Sequence, residues 1–189
     1  DMSKKTGLDA IRAILDYDPL TIDLVYAKYD SLGLTGAVAD QKDDIDLMGV
    51  NATWKLGDDY DTTLEGYFWA KVDRSDLIGT AQPKTDTIYV PGVRATANLL
   101  EGLMTSAEVA LQRGTDSDAD TDTASKRQAL AWQVIANYAL PFEQTKEYSP
   151  VLTTAVTYVS GDKEGTYDGG PSLGEKNTAW DPLLENQGA

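Results

Sequence analysis

The chain contains no cysteine and no histidine. The first absence rules out a disulfide framework and a thiolate metal site. The second removes the imidazole that Ser-His or Asp-His chemistry needs to take a proton near neutral pH. Long apolar runs are missing too. No stretch approaches the roughly 18 apolar residues of a membrane helix, so passage through a bilayer would fall to strands, which need only ~9 to 11 tilted residues. Basic charge is scarce: 16 Lys and Arg stand against 31 Asp and Glu, a formal net charge of −15. Such a chain lacks the basic face that displaces counterions from phosphates, which excludes nucleic acid as a partner. The Gly-rich stretch 165–174 has neither the strand, the lysine nor the helix of a phosphate loop.

What the sequence has is alternation. Eight stretches place apolar side chains at every second position, the rhythm of strands that bury one face. Leu130, Trp132, Val134, Ala136 and Tyr138 oppose Ala131, Gln133, Ile135 and Asn137. Val93, Ala95, Ala97 and Leu99 oppose Arg94, Thr96 and Asn98. The same rule assigns Ile11, Ala13, Leu15 and Tyr17; Ile22, Leu24 and Tyr26; Met48, Val50, Ala52 and Trp54; Leu64, Gly66, Phe68 and Ala70; and Thr105, Ala107, Val109 and Leu111 to one apolar face. The eighth stretch is the least polarised, because Val151, Ala155 and Val159 make its second face nearly as apolar as its first. With no helix to pack against, the apolar face has to meet another sheet or lipid. The strands are expected at about 7–17, 20–30, 43–56, 60–72, 85–99, 103–113, 126–140 and 150–160, with a long loop over 161–189.

Connections of two lengths orient this sheet. Short turns rich in Asp, Gly and Pro follow the first, third, fifth and seventh strands, while 31–42, 73–84 and 114–125 are longer and polar. In outer-membrane barrels the periplasmic turns are short and the external loops long, so the first strand is expected to run from outside to inside. Eight strands that start this way finish outside, whereas a complete bacterial barrel keeps both termini in the periplasm. No basic and apolar leader precedes Asp1, and no aromatic strand closes the end, so the chain reads as part of a larger barrel.

Acidic residues collect between the strands, as in Asp116, Asp118, Asp120 and Asp122. That run opens like a calcium loop but has Thr121 where the turn needs Gly and Arg127 where a bidentate Glu is needed. It reads as a solvated external loop, with a loose divalent contact to lipopolysaccharide phosphates as the alternative. Tyr17, Trp54, Tyr60, Tyr138 and Phe142 fall beside the short turns, and Tyr26, Phe68, Tyr89, Trp132 and Tyr158 nearer the long loops. Two aromatic girdles are the expected consequence, represented by Tyr17, Trp54, Phe68, Trp132, Tyr138 and Tyr158. On the polar face Arg12, Lys55, Lys71, Glu65, Arg94, Glu108 and Arg127 are the candidate pore-lining charges. Arg12 and Arg94 have small or polar neighbours, which makes them the best placed to meet anions. Ion pairing across strands is the competing explanation for all of these charges.

Several segments resemble the alginate-export porin family of Gram-negative outer membranes. The first hairpin does so through Asp16, Tyr17, Asp18 and Pro19 and the strand from Asp23 to Asp30. The more specific likeness is a strand ending in Ser160, Gly161 and Asp162, a Gly-rich spacer, and then Asn177, Thr178, Ala179, Trp180, Asp181, Pro182, Leu183 and Leu184. Trp180 replaces an expected Phe, and Leu184 an expected Phe or Tyr. The resemblance implies an antiparallel transmembrane β-barrel of roughly eighteen strands, eight of them in this chain. It also implies passive export of an anionic polysaccharide through a basic lumen, whereas the polar face here is nearly neutral.

The reading is therefore an outer-membrane channel or porin for passive diffusion or export of a hydrophilic solute such as a polysaccharide, anionic ones included. No catalytic residue, metal site or cofactor is assigned, and the partners are outer-membrane lipid, lipopolysaccharide and the solute. The alternatives are a soluble all-β module that binds a ligand or partner through its loops, and an outer-membrane scaffold without an open pore.

Overall fold

The computed structural model describes residues 8–30, 44–73, 85–117, 124–141, 149–161 and 176–181. Among these residues there is no helix. Eight long strands follow one another, each hydrogen-bonded antiparallel to the next: β1 Leu8–Tyr17, β2 Leu20–Asp30, β3 Asp44–Lys55, β4 Thr63–Asp73, β5 Asp86–Leu100, β6 Leu103–Ser117, β7 Ala124–Ala139 and β8 Val151–Val159. A two-residue strand, β9 Lys176–Asn177, pairs parallel with β7. The molecule is an all-β meander. The sheet is open, with β1 and β8 as its two edges among the described residues.

Short turns set the register. Asp18 and Pro19 alone separate β1 from β2, and Glu101 and Gly102 alone separate β5 from β6. Between β3 and β4 the turn is closed by Leu56 N–H donating to Thr62 O at 2.9 Å and by the Asp58 carboxylate accepting from Thr62 N–H at 2.7 Å. The hydrogen bonds that Thr62 donates to it, from backbone and side chain, hold the Asp58 carboxyl below its ordinary pKa. The same turn is stitched to the next hairpin, since Asn98 donates its backbone N–H to Tyr60 O at 2.8 Å and its side-chain amide to Asp61 at 3.2 Å.

The register carries one face assignment across all eight strands. Leu15, Ile22, Ala52, Gly66, Val93, Val109, Trp132 and Tyr158 are successive cross-strand neighbours. One residue along, Asp16, Thr21, Thr53, Glu65, Arg94, Glu108, Gln133 and Thr157 form the equivalent row on the other face. A slip of one residue in any pair would have broken both rows. Hydrogen bonds run along the polar row, with Thr21 Oγ1 donating to Asp16 at 2.9 Å and Gln133 Nε2 to Thr157 at 2.7 Å.

β4 starts at Thr63 rather than at 60, and two larger features differ from the sequence reading. β6 runs on to Ser117 and β7 starts at Ala124, because Thr115, Asp116 and Ser117 continue the ladder against Lys126, Ser125 and Ala124. The ladder narrows the expected 114–125 loop from both sides. The second difference is β9, which lies in what reads as a uniform loop.

Candidate functional site

The two faces differ in chemistry. Across the middle of the apolar face the described residues include no charged side chain. Asp9, Lys28, Asp46, Arg113 and Lys126, and by register Asp30 and Asp44, share that face but sit at its long-loop end, where Tyr26 donates its hydroxyl hydrogen to Asp46 at 2.8 Å. Tyr17, Trp54, Phe68, Trp132, Tyr138 and Tyr158 all belong to this face by register. Phe68 stacks on Tyr89 with centroids 6.0 Å apart, and Trp132 on Tyr158 at 5.9 Å. No described segment covers these rings. Val134, in the middle of β7 with strands on either side, is 45% exposed.

Arg12, Lys55, Lys71, Glu65, Arg94, Glu108 and Arg127 share the opposite face. The structure brings three of them together. Arg94 stands directly across from Glu65 on one side and Glu108 on the other, with its Nε 3.6 Å from Glu65. Tyr67 completes the group by donating its hydroxyl hydrogen to Glu108. Arg12 lies apart near the β1 edge, paired to Asp23 at 2.7 Å. Neither arginine therefore has the free guanidinium that its small neighbours suggested, because a carboxylate on the adjacent strand reaches it first.

Arg127 needs a larger correction. It shares the polar face but is only 7% exposed, covered by residues 176–181 of the long C-terminal segment. The path of that segment is built from local hydrogen bonds. β8 pairs with β7 only from Ala131 onward, which leaves the earlier part of β7 without that neighbour. Ser160 and β9 take its place: Ser160 N–H donates to Leu130 O at 2.8 Å, and Lys176 and Asn177 pair with Lys126 and Arg127. The Asn177 side chain then accepts from Ala179 N–H at 3.0 Å, a side-chain turn of the kind Asn favours, and directs the chain over the sheet. Ser160 clamps the crossing, donating from its hydroxyl to Thr178 O at 2.7 Å and accepting Trp180 N–H at its carbonyl at 2.9 Å.

Over the sheet the segment meets a prepared patch. Trp180 packs on Ile88, Val90 and Ala110, which are almost fully buried. Gln112 is completely buried, and its side-chain amide both donates to Asp181 O and accepts from Asp181 N–H, at 2.9 Å for the second, as a strand neighbour would. The Asp181 carboxylate lies 3.3 Å from Arg127 Nη1. These contacts satisfy polar groups that burial would otherwise leave at a cost. Sequence reasoning names Trp180 and Asp181 through a resemblance but does not connect them to Gln112, which reads as one more polar residue of β6.

A second feature of the polar face is a pair of rings laid over glycines. Trp69 is directly opposite Gly49, and Tyr67 directly opposite Gly92. A Cβ at Gly49 would fall 2.1 Å from the indole, and one at Gly92 would fall 2.2 Å from the phenol ring. Only glycine leaves room for the rings to lie down on the neighbouring strand.

The described residues hold no cluster of three or more metal-ligating side chains. Phe142 and Asp118, Asp120 and Asp122 lie outside the described residues. No family model matches the chain, and no curated protein or solved structure is significantly similar to it.

Proposed function

We propose that this sheet is a stretch of outer-membrane β-barrel wall belonging to a passive channel for hydrophilic solutes, with the apolar face toward lipid and the polar face toward the lumen. The observation that supports it is the pair of parallel rows, one uncharged and apolar through eight strands, the other polar through the same eight. A face this broad and uncovered has to meet something apolar. Lipid suits it because its charges gather at the long-loop end and Tyr17, Trp54 and Tyr138 lie together at the short-turn end, whereas Phe68 and Trp132 stand mid-strand. The strands, at 9 to 16 residues, have the length that a tilted crossing needs.

In this reading residues 176–181 are an inward fold that narrows the lumen, and the Glu65, Arg94 and Glu108 group lines the remaining space. The paired charges give the lumen little net field, so the reading carries a hydrophilic solute but not the strong anion preference that the alginate-export resemblance implies. The inward fold favours one second reading, a wall whose lumen is closed by its own segment and which serves as a scaffold.

Two measurements test the proposal. An impermeant maleimide applied to intact Gram-negative cells should modify Ala119→Cys and miss Asp58→Cys, since long loops face outward. The reverse pattern, or equal labelling, would overturn the orientation. Purified full-length protein in planar bilayers should carry steady ionic current, and protein inserted without current would leave the scaffold reading.

A further inference from the structure

We infer that Tyr67 and Trp69 form a stacking platform for an uncharged pyranose chain moving along the polar face, an inference that rests on the channel reading above. The two side chains leave β4 on the same face, two residues or ~7 Å apart. Each ring lies over a glycine and packs beside the Ile88, Val90 and Ala110 cluster that Trp180 also meets, so part of it rests on the chain while the side chain as a whole stays partly exposed. Glycines at these two positions do more than tolerate the rings: they let the rings lie along the sheet, the posture that offers a flat apolar surface to a passing ligand. A pyranose presents just such a mixture, a C–H face for an aromatic surface and a rim of hydroxyls for hydrogen bonding.

The rim partners are next to the rings. Glu65 and Glu108 flank Arg94 one position away on the same face, and Arg94 keeps 44% of its side chain exposed. Carboxylates and a guanidinium are strong partners for hydroxyls. Arg94 offsets only one of the two glutamates, and the nearby Asp181 and Arg127 offset each other, so the surroundings keep one net negative charge and hold no attraction for an anion. An uncharged saccharide fits that balance better than a polyanion, which would bring its charges beside two glutamates. A ring over a glycine also pins strand register, a role that requires no ligand and makes no distinction among sugars.

The test titrates the full chain, folded in detergent, with maltohexaose and separately with an oligogalacturonate of equal length, following tryptophan fluorescence. Maltohexaose should give a saturable change and oligogalacturonate a weaker one. Trp69→Leu should raise the maltohexaose Kd roughly two- to tenfold, the range of an aromatic contact, while Trp132→Leu on the apolar face should leave it unchanged. No saturable change in the wild type, tighter binding of the uronate, or equal Kd values in the two variants would overturn the platform. Should Trp69→Leu fail to fold, the wild-type comparison of the two sugars decides alone. Bilayer current separates the two proposals: sugar binding without current removes the channel and keeps the platform, and current without sugar binding does the reverse.

Discussion

The two faces of the sheet arise from the same period-two pattern and meet different fates. On the polar face, a segment from far along the chain returns to cover part of the wall, so that Gln112 on β6 is fully buried and Ile88 and Val90 on β5 nearly so. On the apolar face no described segment returns, and central residues such as Val134 and Val109 stay open. A returning segment therefore covers one side only, while on the other, burial is confined to small or strand-end positions such as Ala70 and Asp46 between their neighbours on adjacent strands. What the apolar face rests against must come from outside the described residues, which is why the lipid reading bears on that side and the solute reading on the other.

The comparison sharpens most under a change of charge on β7. Val134→Arg places a guanidinium on the apolar face and should cost about 2 to 4 kcal/mol of folding stability in lipid if the position lies near the bilayer midplane. Gln133→Arg, one residue away on the polar face, should be mild. Equal tolerance of the two in a lipid refolding assay would break the distinction between the faces.

Next in size is the covered patch. Gln112→Leu removes both hydrogen bonds to the Asp181 backbone and should cost about 1 to 3 kcal/mol, the penalty of leaving such groups unpaired. Hydrogen exchange at the Asp181 amide should speed up in the variant while amides in β2 and β3 keep their protection. Unchanged exchange at Asp181 would show that residues 176–181 are held in place without Gln112.

On the same face, away from the covering segment, the effect should shrink. Arg12 pairs with Asp23 but its side chain is 61% exposed, so Arg12→Gln should change stability by less than about 1 kcal/mol. Added salt should reduce even that difference. A loss comparable to that of Gln112→Leu in the same unfolding assay would mean that the open part of the polar face is as tightly held as the covered part.

The smallest effect lies at the end of the sheet, where neither face is involved. The Asp58 carboxyl is held below its ordinary value of 3.8 by hydrogen bonds from Thr62. Its contribution to the turn is therefore present above pH 3.8 and is lost as pH falls through the lower folded value. An NMR titration of the Asp58 side-chain carbonyl should give a midpoint below 3.8, and Thr62→Val, which keeps the backbone donor, should raise it only in part. A midpoint at or above the ordinary value would mean that the carboxylate does not cap the turn in solution.

The fold is legible in the sequence wherever a local rule suffices. The alternation from Leu130 to Tyr138 assigns each side chain of β7 to a face with no knowledge of its neighbours, because successive residues of a strand point to opposite sides. Asp18 and Pro19, or Glu101 and Gly102, mark where the chain reverses, and consecutive strands joined so tightly pair antiparallel. The candidate site is legible only in part. The shared face of Glu65, Arg94 and Glu108 follows from parity, but their juxtaposition depends on the register of three strands. Gly49 and Gly92 are visible as strand glycines that signal a close approach, yet naming Trp69 and Tyr67 as the rings above them needs that register too.

The sequence by itself determined the eight long strands, their order of pairing and which side chains share a face, because each depends on residues a few positions apart. Tertiary structure alone decided that Gln112 meets Asp181, that Arg127 is buried while Arg12 is open, and that Trp180 closes over Ile88, Val90 and Ala110. Gln112 and Asp181 are 69 positions apart, and Trp180 and Ile88 farther still, and no period or turn signal spans such a distance. They depend on where a returning segment finds vacant strand edge and unpaired polar atoms, and both exist only once the sheet has formed.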